Sequence, residues 1–120
     1  SRELDALLAD LAAERGVEQL LLLREGRPLG GTFSLNAPGL SVALADLERD
    51  FLDLGSSLMA GNLELLTLEM PQRVLASAWP APGHLLLAVV GIPATLSLVL
   101  HRLRSQLGPI RETLDDPRLA

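Results

Sequence analysis

The side chains that most often carry catalysis or bind metals are scarce in this chain. It has two histidines, His84 and His101, no cysteine, and ten basic residues that are all arginine. Without lysine there is no Schiff-base, P-loop or kinase-type lysine, and without cysteine there is no thiolate nucleophile, zinc thiolate or disulfide. Neither histidine has a partner at metal-ligand spacing. We therefore expect His84 to be a partly exposed turn residue and His101 to lie on a solvated helix face.

A group of acidic residues on one predicted helix comes nearest to a catalytic cluster. Paired carboxylates can act as general acid and base when a cleft separates their pKa values. Three of these acids fall opposite the leucines of the helix, which favours a solvated face, with a binding patch for a cationic partner as the alternative. The cluster consists of Glu48 and the outward-facing Asp46, Asp50 and Asp53.

Two further features invite a ligand-binding interpretation. The pair Gly30-Gly31 resembles part of a phosphate loop, but it lies within a predicted strand and no Lys-Ser/Thr follows it. Trp79 ends a strand before Pro80, and we interpret it as an anchor on the sheet surface rather than as a ligand platform. We therefore expect no catalytic residue, no metal and no cofactor.

Length and charge narrow the classes of function further. The chain has 120 residues, which suits one domain; we expect residues 1–114 to form it and residues 115–120 to be a frayed tail. The net charge of −5 argues against nucleic acids and anionic membrane surfaces as partners. The apolar run at residues 85–90 is much too short to insert into a membrane, and we expect a cytoplasmic protein.

Leucine spacing predicts three amphipathic helices. The first covers residues 1–15, the second residues 40–59 with Ser41 as a plausible N-cap, and the third follows Pro93, with Gly108-Pro109 expected to bend or end it. In the second helix, the predicted core stripe repeats with 4-3-4-3-4 spacing. It consists of Leu40, Leu44, Leu47, Phe51, Leu54 and Leu58.

Five strands are predicted between these helices, at residues 19–24, 28–34, 63–70, 73–79 and 85–90. The first and fifth are apolar on both faces, which is typical of central strands covered by helices on both sides. The result is an α+β fold, α-β-β-α-β-β-β-α, with an antiparallel sheet of order 2-1-5-4-3. Short connections, among them residues 80–83, favour a meander of the last three strands.

Two features point to association with other proteins. The third strand is expected at an edge, yet it lacks the proline, lysine or bulge that normally blocks pairing there. On the second helix, Ala45, Leu52 and Met59 form an apolar shoulder flanked by small or polar residues; the alternative is a wider core-facing stripe. Together these features predict a two-fold dimer interface comprising Ala45, Glu48, Leu52, Ser56, Met59, Leu63, Leu65, Thr67 and Glu69.

Several segments carry a resemblance to a known family. They are the leucine helix at residues 4–11, the strand and glycine turn at residues 20–26, the helix end and strand at residues 58–69, the strand at residues 85–90, and the closing helix. In the order of their elements and in their residue patterns, these segments resemble the Roadblock/dynein light-chain domain family, whose bacterial members include MglB-like GTPase partners. The resemblance covers nearly the whole chain, although no single motif is diagnostic.

The resemblance implies a non-catalytic, dimeric regulator or scaffold that binds a small Ras-like GTPase. It implies a homodimer, or a heterodimer with a related Roadblock chain, whose sheet continues through the third strand and whose second helices pair. Residues Asp46, Arg49, Asp50 and Asp53 could then face the partner, with Arg49 a candidate arginine finger. The alternative is a small-ligand sensor or generic dimerisation module of the longin, PAS or GAF-like type.

Overall fold

The computed structural model describes residues 2–32 and 38–116, and its elements follow the predicted order. In chain order they are α1 (Arg2–Ala12), β1 (Val17–Arg24), β2 (Arg27–Gly31), α2 (Pro38–Ser57), β3 (Leu65–Glu69), β4 (Val74–Ala81), β5 (His84–Val90), a 3₁₀ turn (Pro93–Thr95) and α3 (Leu96–Asp115).

The five strands form one antiparallel sheet of order β2-β1-β5-β4-β3, as predicted. Strand β1 lies beside β5, and the leucines at positions 20–23 are all buried. Because successive side chains of a strand point to opposite faces, Leu20 and Leu22 enter one core and Leu21 and Leu23 enter the other. The unbroken leucine run is thereby explained.

The two faces of the sheet are covered unequally. Helices α1 and α3 pack together over one face, to which Leu8 and Leu11 of α1 and Leu103 and Ile110 of α3 contribute buried side chains. On the opposite face, α2 is the one helix that packs among the described residues, and Leu44 is its buried side chain there. Full burial of a leucine contributes about 1.5–3 kcal/mol, so the doubly covered face carries the larger share of the stability.

The start of α2 differs from the prediction. The helix begins at Pro38, so the prediction that Ser41 is its N-cap is wrong. Proline is favoured in the first turn of a helix, because its missing N–H would have no intrahelical partner there. The predicted turn at residues 36–39 and the end of the predicted second strand fall partly on residues 33–37, outside the described residues.

Strand β4 is longer than predicted. Pro80 and Ala81, expected in the connection between two strands, belong to β4, and Pro82-Gly83 makes the turn. The register shifts between Ala78 and Ala81, which marks a bulge. A bulge leaves backbone groups outside the ladder, and proline is tolerated in a sheet at such a place.

Helix α3 continues through Pro109, which does not end it. The Thr113 hydroxyl donates a hydrogen bond to the Pro109 carbonyl oxygen (2.9 Å). The helix ends at Asp115, one residue beyond the predicted domain boundary, while residues 117–120 lie outside the described part of the chain. None of the helices described is both long and apolar enough to cross a membrane.

The edge strand β2 is glycine-rich because its neighbours approach closely. A Cβ at Gly30 would lie 2.9 Å from a Leu8 methyl carbon of α1. Gly31 has a φ of +138°, and a Cβ there would overlap the Leu20 carbonyl oxygen and lie 2.8 Å from the Leu21 Cα. Backbone atoms cannot move aside as a flexible side chain can, so Gly31 is required where β2 joins β1.

We expect Gly31→Ala to lower stability much more than Gly108→Ala does. The first substitution forces a strained backbone and a backbone overlap, and should lower the free energy of unfolding by more than about 1 kcal/mol. The second lies on the exposed side of α3, where an added Cβ meets no described atom beyond its chain neighbours within 4 Å. Its gain in helix propensity is offset because the Pro109 ring disfavours helical backbone for a preceding residue with a Cβ, so it should change the free energy of unfolding by less than about 1 kcal/mol. Urea unfolding followed by Trp79 fluorescence measures both; equal effects would contradict the packing described for β2.

Candidate functional site

Strand β3 presents an unpaired edge among the described residues. It pairs with β4 on one side and is the last strand of the sheet. The Trp79 N–H donates to the Glu64 carbonyl (2.9 Å), and the Met70 N–H donates to the Arg73 carbonyl (3.0 Å). The direction of backbone groups alternates along a strand, so even-numbered residues of this segment bond to β4. The odd-numbered residues Leu65, Thr67 and Glu69 therefore direct their N–H and C=O groups outward.

The side chains of β3 leave this edge accessible. Leu65 packs against the core under α1 and α3, and Leu66 packs on the α2 face. Leu68 and Met70, also on the α2 face, are 36% and 53% exposed. The opposite edge, β2, is blunted by Pro28 and by a register shift in its pairing with β1. One edge of the sheet, β2, is therefore blocked against pairing with a further strand, and the other edge, β3, is open to it.

One flank of the second half of α2, continued by Leu58 just after the helix ends, is apolar and solvent-exposed. Leu54 is 48% exposed and Leu58 is 66% exposed, so the prediction that both belong to the core stripe is wrong for the single chain. Within that stripe Leu44 is buried, and Leu47 and Phe51 are half-buried. No second element packs beside α2 in the described part of the chain, so the side chains on its flank stay in water.

The predicted shoulder lies on the other flank of α2. Ala45, Leu52, Ser56 and Met59 are exposed and Glu48 is half-buried. Ala45 and Glu48 line a groove beside the turns that contain Gly26 and Gly83, and Leu52 lines a second groove near Trp79. At 100° per residue, Leu47, Leu54 and Leu58 lie on the flank turned away from these grooves. Helix α2 therefore carries apolar residues on both flanks.

The outward face of α2 is charged. Asp46, Arg49, Asp50 and Asp53 are all exposed. Arg49 and Asp46 form an ion pair of 3.4 Å whose side chains are 73% and 60% exposed, a type of pair that stabilises a fold by little. This face is therefore a solvated surface in the single chain, as predicted, and its charges are accessible to a partner.

Glu48 places a half-buried carboxylate between the two grooves, and no sequence pattern indicated its burial. Glu48 accepts a hydrogen bond from the indole of Trp79, which is only 5% exposed. Burial raises the pKa of the Glu48 carboxyl above its ordinary value, the nearby Glu25 carboxylate raises it further, and the Trp79 hydrogen bond opposes both. The second groove, of about 410 Å³, also contains Leu63 and Arg111.

The histidines do not form a site in the described residues. His101 is exposed on α3, as predicted. His84 is half-buried at the start of β5, and its Nδ1 lies 3.0 Å from the Pro82 carbonyl oxygen. Within residues 2–32 and 38–116, no group of three His, Asp or Glu side chains is placed to hold a metal ion.

Known structures share this architecture. The chain superposes on the Roadblock/LC7 domain from Streptomyces avermitilis with a TM-score of 0.75 and 17% identity, over 93% of this chain and 98% of that one. For Myxococcus xanthus MglB the TM-score is 0.80 with 12% identity, over 99% and 91% of the two chains. For the gliding protein MglB from Thermus thermophilus the TM-score is 0.71 with 17% identity, over 92% of this chain and 90% of that one.

The likeness lies in the fold. No protein-family model matches the sequence, and no curated protein matches it either. At this level of identity, the superpositions show that the chain has the Roadblock fold and is structurally similar to MglB proteins over nearly its full length.

We expect Glu48→Gln to stabilise the chain at neutral pH. Glutamine can still accept the Trp79 hydrogen bond but carries no charge to desolvate. Because the folded-state pKa of Glu48 is raised, the folded chain holds this proton more tightly than the unfolded chain does, and wild-type stability falls as pH rises through the folded pKa. The advantage of the variant should be full at neutral pH and absent below the ordinary value of 4.5.

Urea unfolding between about pH 4 and pH 7 measures this difference. Glu112→Gln on the exposed side of α3 controls for the loss of one negative charge. A pH-independent difference between wild type and Glu48→Gln would contradict the assignment.

Proposed function

We propose that this protein is a non-catalytic, dimeric regulator or scaffold that binds a small Ras-like GTPase. The observation that carries the proposal is the open edge of β3 next to the exposed leucines of α2. Both features leave groups in water that pairing with a second copy would cover. The fold likeness to MglB and MglC structures, one of them an MglB with a tetrameric arrangement, supports association of this type of domain.

The outward backbone groups of β3 define how two copies would pair. An isologous antiparallel pair needs a two-fold axis, and centring it on Thr67 uses every outward group from Leu65 to Glu69. Thr67 then lies opposite Thr67 of the partner subunit, and Leu65 lies opposite Glu69 of the partner subunit. On the α2 face, Leu66 would lie opposite Leu68 of the partner subunit, extending the apolar surface across the axis.

The same axis brings the second halves of the two α2 helices together. Leu54 and Leu58 would be covered there, which accounts for their exposure in the single chain. We therefore add these two residues to the proposed interface. The interface predicted from the sequence comprises Ala45, Glu48, Leu52, Ser56, Met59, Leu63, Leu65, Thr67 and Glu69.

The paired helices would present a broad charged surface to the GTPase. Asp46, Arg49 and Asp53 remain on the outside of α2, away from both the sheet and the proposed seam, and the exposed Asp50 borders the flank that carries Leu54. Arg49 is held only by an exposed ion pair and is free to reorient toward a nucleotide, while the acids suit a cationic patch on a partner. With no nucleophile or metal required, the protein would act by binding in the cytoplasm.

We expect Thr67→Pro to abolish the dimer and preserve the fold. The Thr67 N–H points away from β4, so proline removes no hydrogen bond within the chain but blocks the central pairing with a second copy. Light scattering should show a fall from twice the chain mass of 12.8 kDa to a single chain mass, with unchanged circular dichroism. Thr67→Val keeps the N–H and should remain dimeric; a dimeric Thr67→Pro would refute pairing through β3.

We expect Asp53→Arg to weaken GTPase binding without affecting dimerisation. The substitution reverses a charge on the outward face of α2, and loss of charge complementarity should reduce affinity by on the order of tenfold. Binding of purified Ras-like GTPases from the same genome, loaded with GTP or GDP, measures the effect. Glu112→Arg on α3 is the matched control.

In the same assay, Arg49→Ala distinguishes a protein that accelerates GTP hydrolysis from one that only acts as a scaffold. If Arg49 is an arginine finger, any acceleration of GTP hydrolysis should fall by about 10³-fold or more, and if the protein is a scaffold, hydrolysis should not change. If no GTPase binds or responds, the proposed function is wrong.

A further inference from the structure

A strained, almost fully exposed methionine follows helix α2. Met59 has a φ of +54°, in the left-handed region that favours glycine, and its side chain is 94% exposed. The preceding Leu58 is 66% exposed. A helix commonly ends with glycine in this conformation, so methionine here adds backbone strain and exposes an apolar side chain. We call these two residues the knob.

Backbone hydrogen bonds hold the chain on both sides of the knob. The Leu58 N–H donates to the Leu54 carbonyl (2.9 Å), and the Met59 N–H donates to the Ser56 carbonyl (3.1 Å). The Ala60 N–H donates to the Gly55 carbonyl (2.8 Å). A Cβ on Gly55 would overlap the Gly61 carbonyl oxygen, so glycine at position 55 lets the chain fold tightly back under the helix. The knob is therefore held outward rather than packed against its own chain.

An apolar groove lies at the opposite end of the same sheet face. It has a volume of about 610 Å³ and is lined by Met70, Leu75 and Val89, with Arg73 at its rim. Leu75 and Val89 belong to the core on the α2 face. Met70 is 53% exposed. No described side chain of α2 lines this groove; Leu75 is buried at its base and Val89 is half-buried.

The proposed two-fold axis relates the knob to this groove. In an antiparallel pair centred on Thr67, the start of one β3 lies beside the end of the other. The knob directly precedes the segment that leads into β3, and the groove begins at Met70, where β3 ends. Each knob thus approaches the groove of the other copy on the α2 face.

We infer that the knob of each protomer inserts into the Met70–Leu75–Val89 groove of a second copy, so that the dimer is closed by two reciprocal contacts. This inference rests on the proposed dimer and names the surfaces that would close it. The helix dipole is compatible with the same occupant. The last turn of α2 carries no basic residue, and Arg73 of the partner subunit, which pairs with Glu18 of its own chain (3.0 Å), would place a cation near the negative end of the dipole.

Met59→Gly tests the inference because its two effects have opposite signs. Glycine relieves the left-handed strain, so the unfolding midpoint of the dilute single chain should rise. Glycine also removes the inserted side chain, so the dissociation constant of the dimer should rise by roughly tenfold or more. Met59→Leu retains an apolar side chain and should dimerise nearly as well as wild type. Analytical ultracentrifugation measures the dissociation constants.

Met70→Glu tests the groove from the other side. Met70 is already half exposed, so the charge should leave the single chain folded while weakening the dimer by a similar factor. Leu98→Glu, at a residue 62% exposed on α3, is the matched control and should leave the dimer unchanged. Because knob and groove contact each other, the double variant Met59→Gly/Met70→Glu should be weakened by less than the product of the two single effects.

The outcomes separate this inference from the proposed function. If wild type dimerises and neither Met59→Gly nor Met70→Glu changes the dissociation constant, the inserted knob is wrong and the proposed function stands. If the two variants weaken GTPase binding but leave the dimer intact, the groove receives the GTPase and the inference is likewise overturned. A wild-type chain that stays monomeric at high concentration would overturn both.

Discussion

The structure depends on the pairing of β1 with β5, two strands that are apolar on both faces. Such a pair must be covered from both sides, because a leucine facing water on either side forfeits its burial energy. Helices α1 and α3 cover one side fully. In the described part of the chain the other side is covered by α2, with Leu44 buried and Leu52 and Leu54 of its second half exposed. This side of the sheet therefore keeps exposed apolar side chains, which is the surface that the proposed dimer would cover.

Much of this arrangement was accessible from the sequence because the two most apolar strands had to lie together. The run at residues 20–23 and the strand at residues 85–90 fixed the sheet centre, and the short connections then fixed the order of the remaining strands. The prediction for α2 was less accurate. Periodicity identifies the apolar side of a helix, but it cannot tell whether a neighbouring element of the same chain covers that side. Leu54 and Leu58 continue the stripe of Leu44 and are nevertheless exposed.

The remaining differences follow from contacts between distant parts of the chain. The hydrogen bond between Glu48 and Trp79 joins α2 to β4 and depends on how the helix crosses the sheet, which no local pattern encodes. Pro80 looked like a connection residue because proline is usually excluded from sheets, and the bulge that admits it is visible only once β4 and β5 are paired. The start of α2 at Pro38 did have a local signal, the preference of proline for a first helical turn.

The close contact between Gly55 and Gly61 keeps the segment that leads to β3 directly against the last turn of α2. The outer face of α2 and the open edge of β3 are thereby joined by a short turn with backbone hydrogen bonds. In the proposed dimer, any effect that a partner bound to the outer face of α2 has on assembly would be matched, by thermodynamic reciprocity, by an equal effect of assembly on the affinity for that partner.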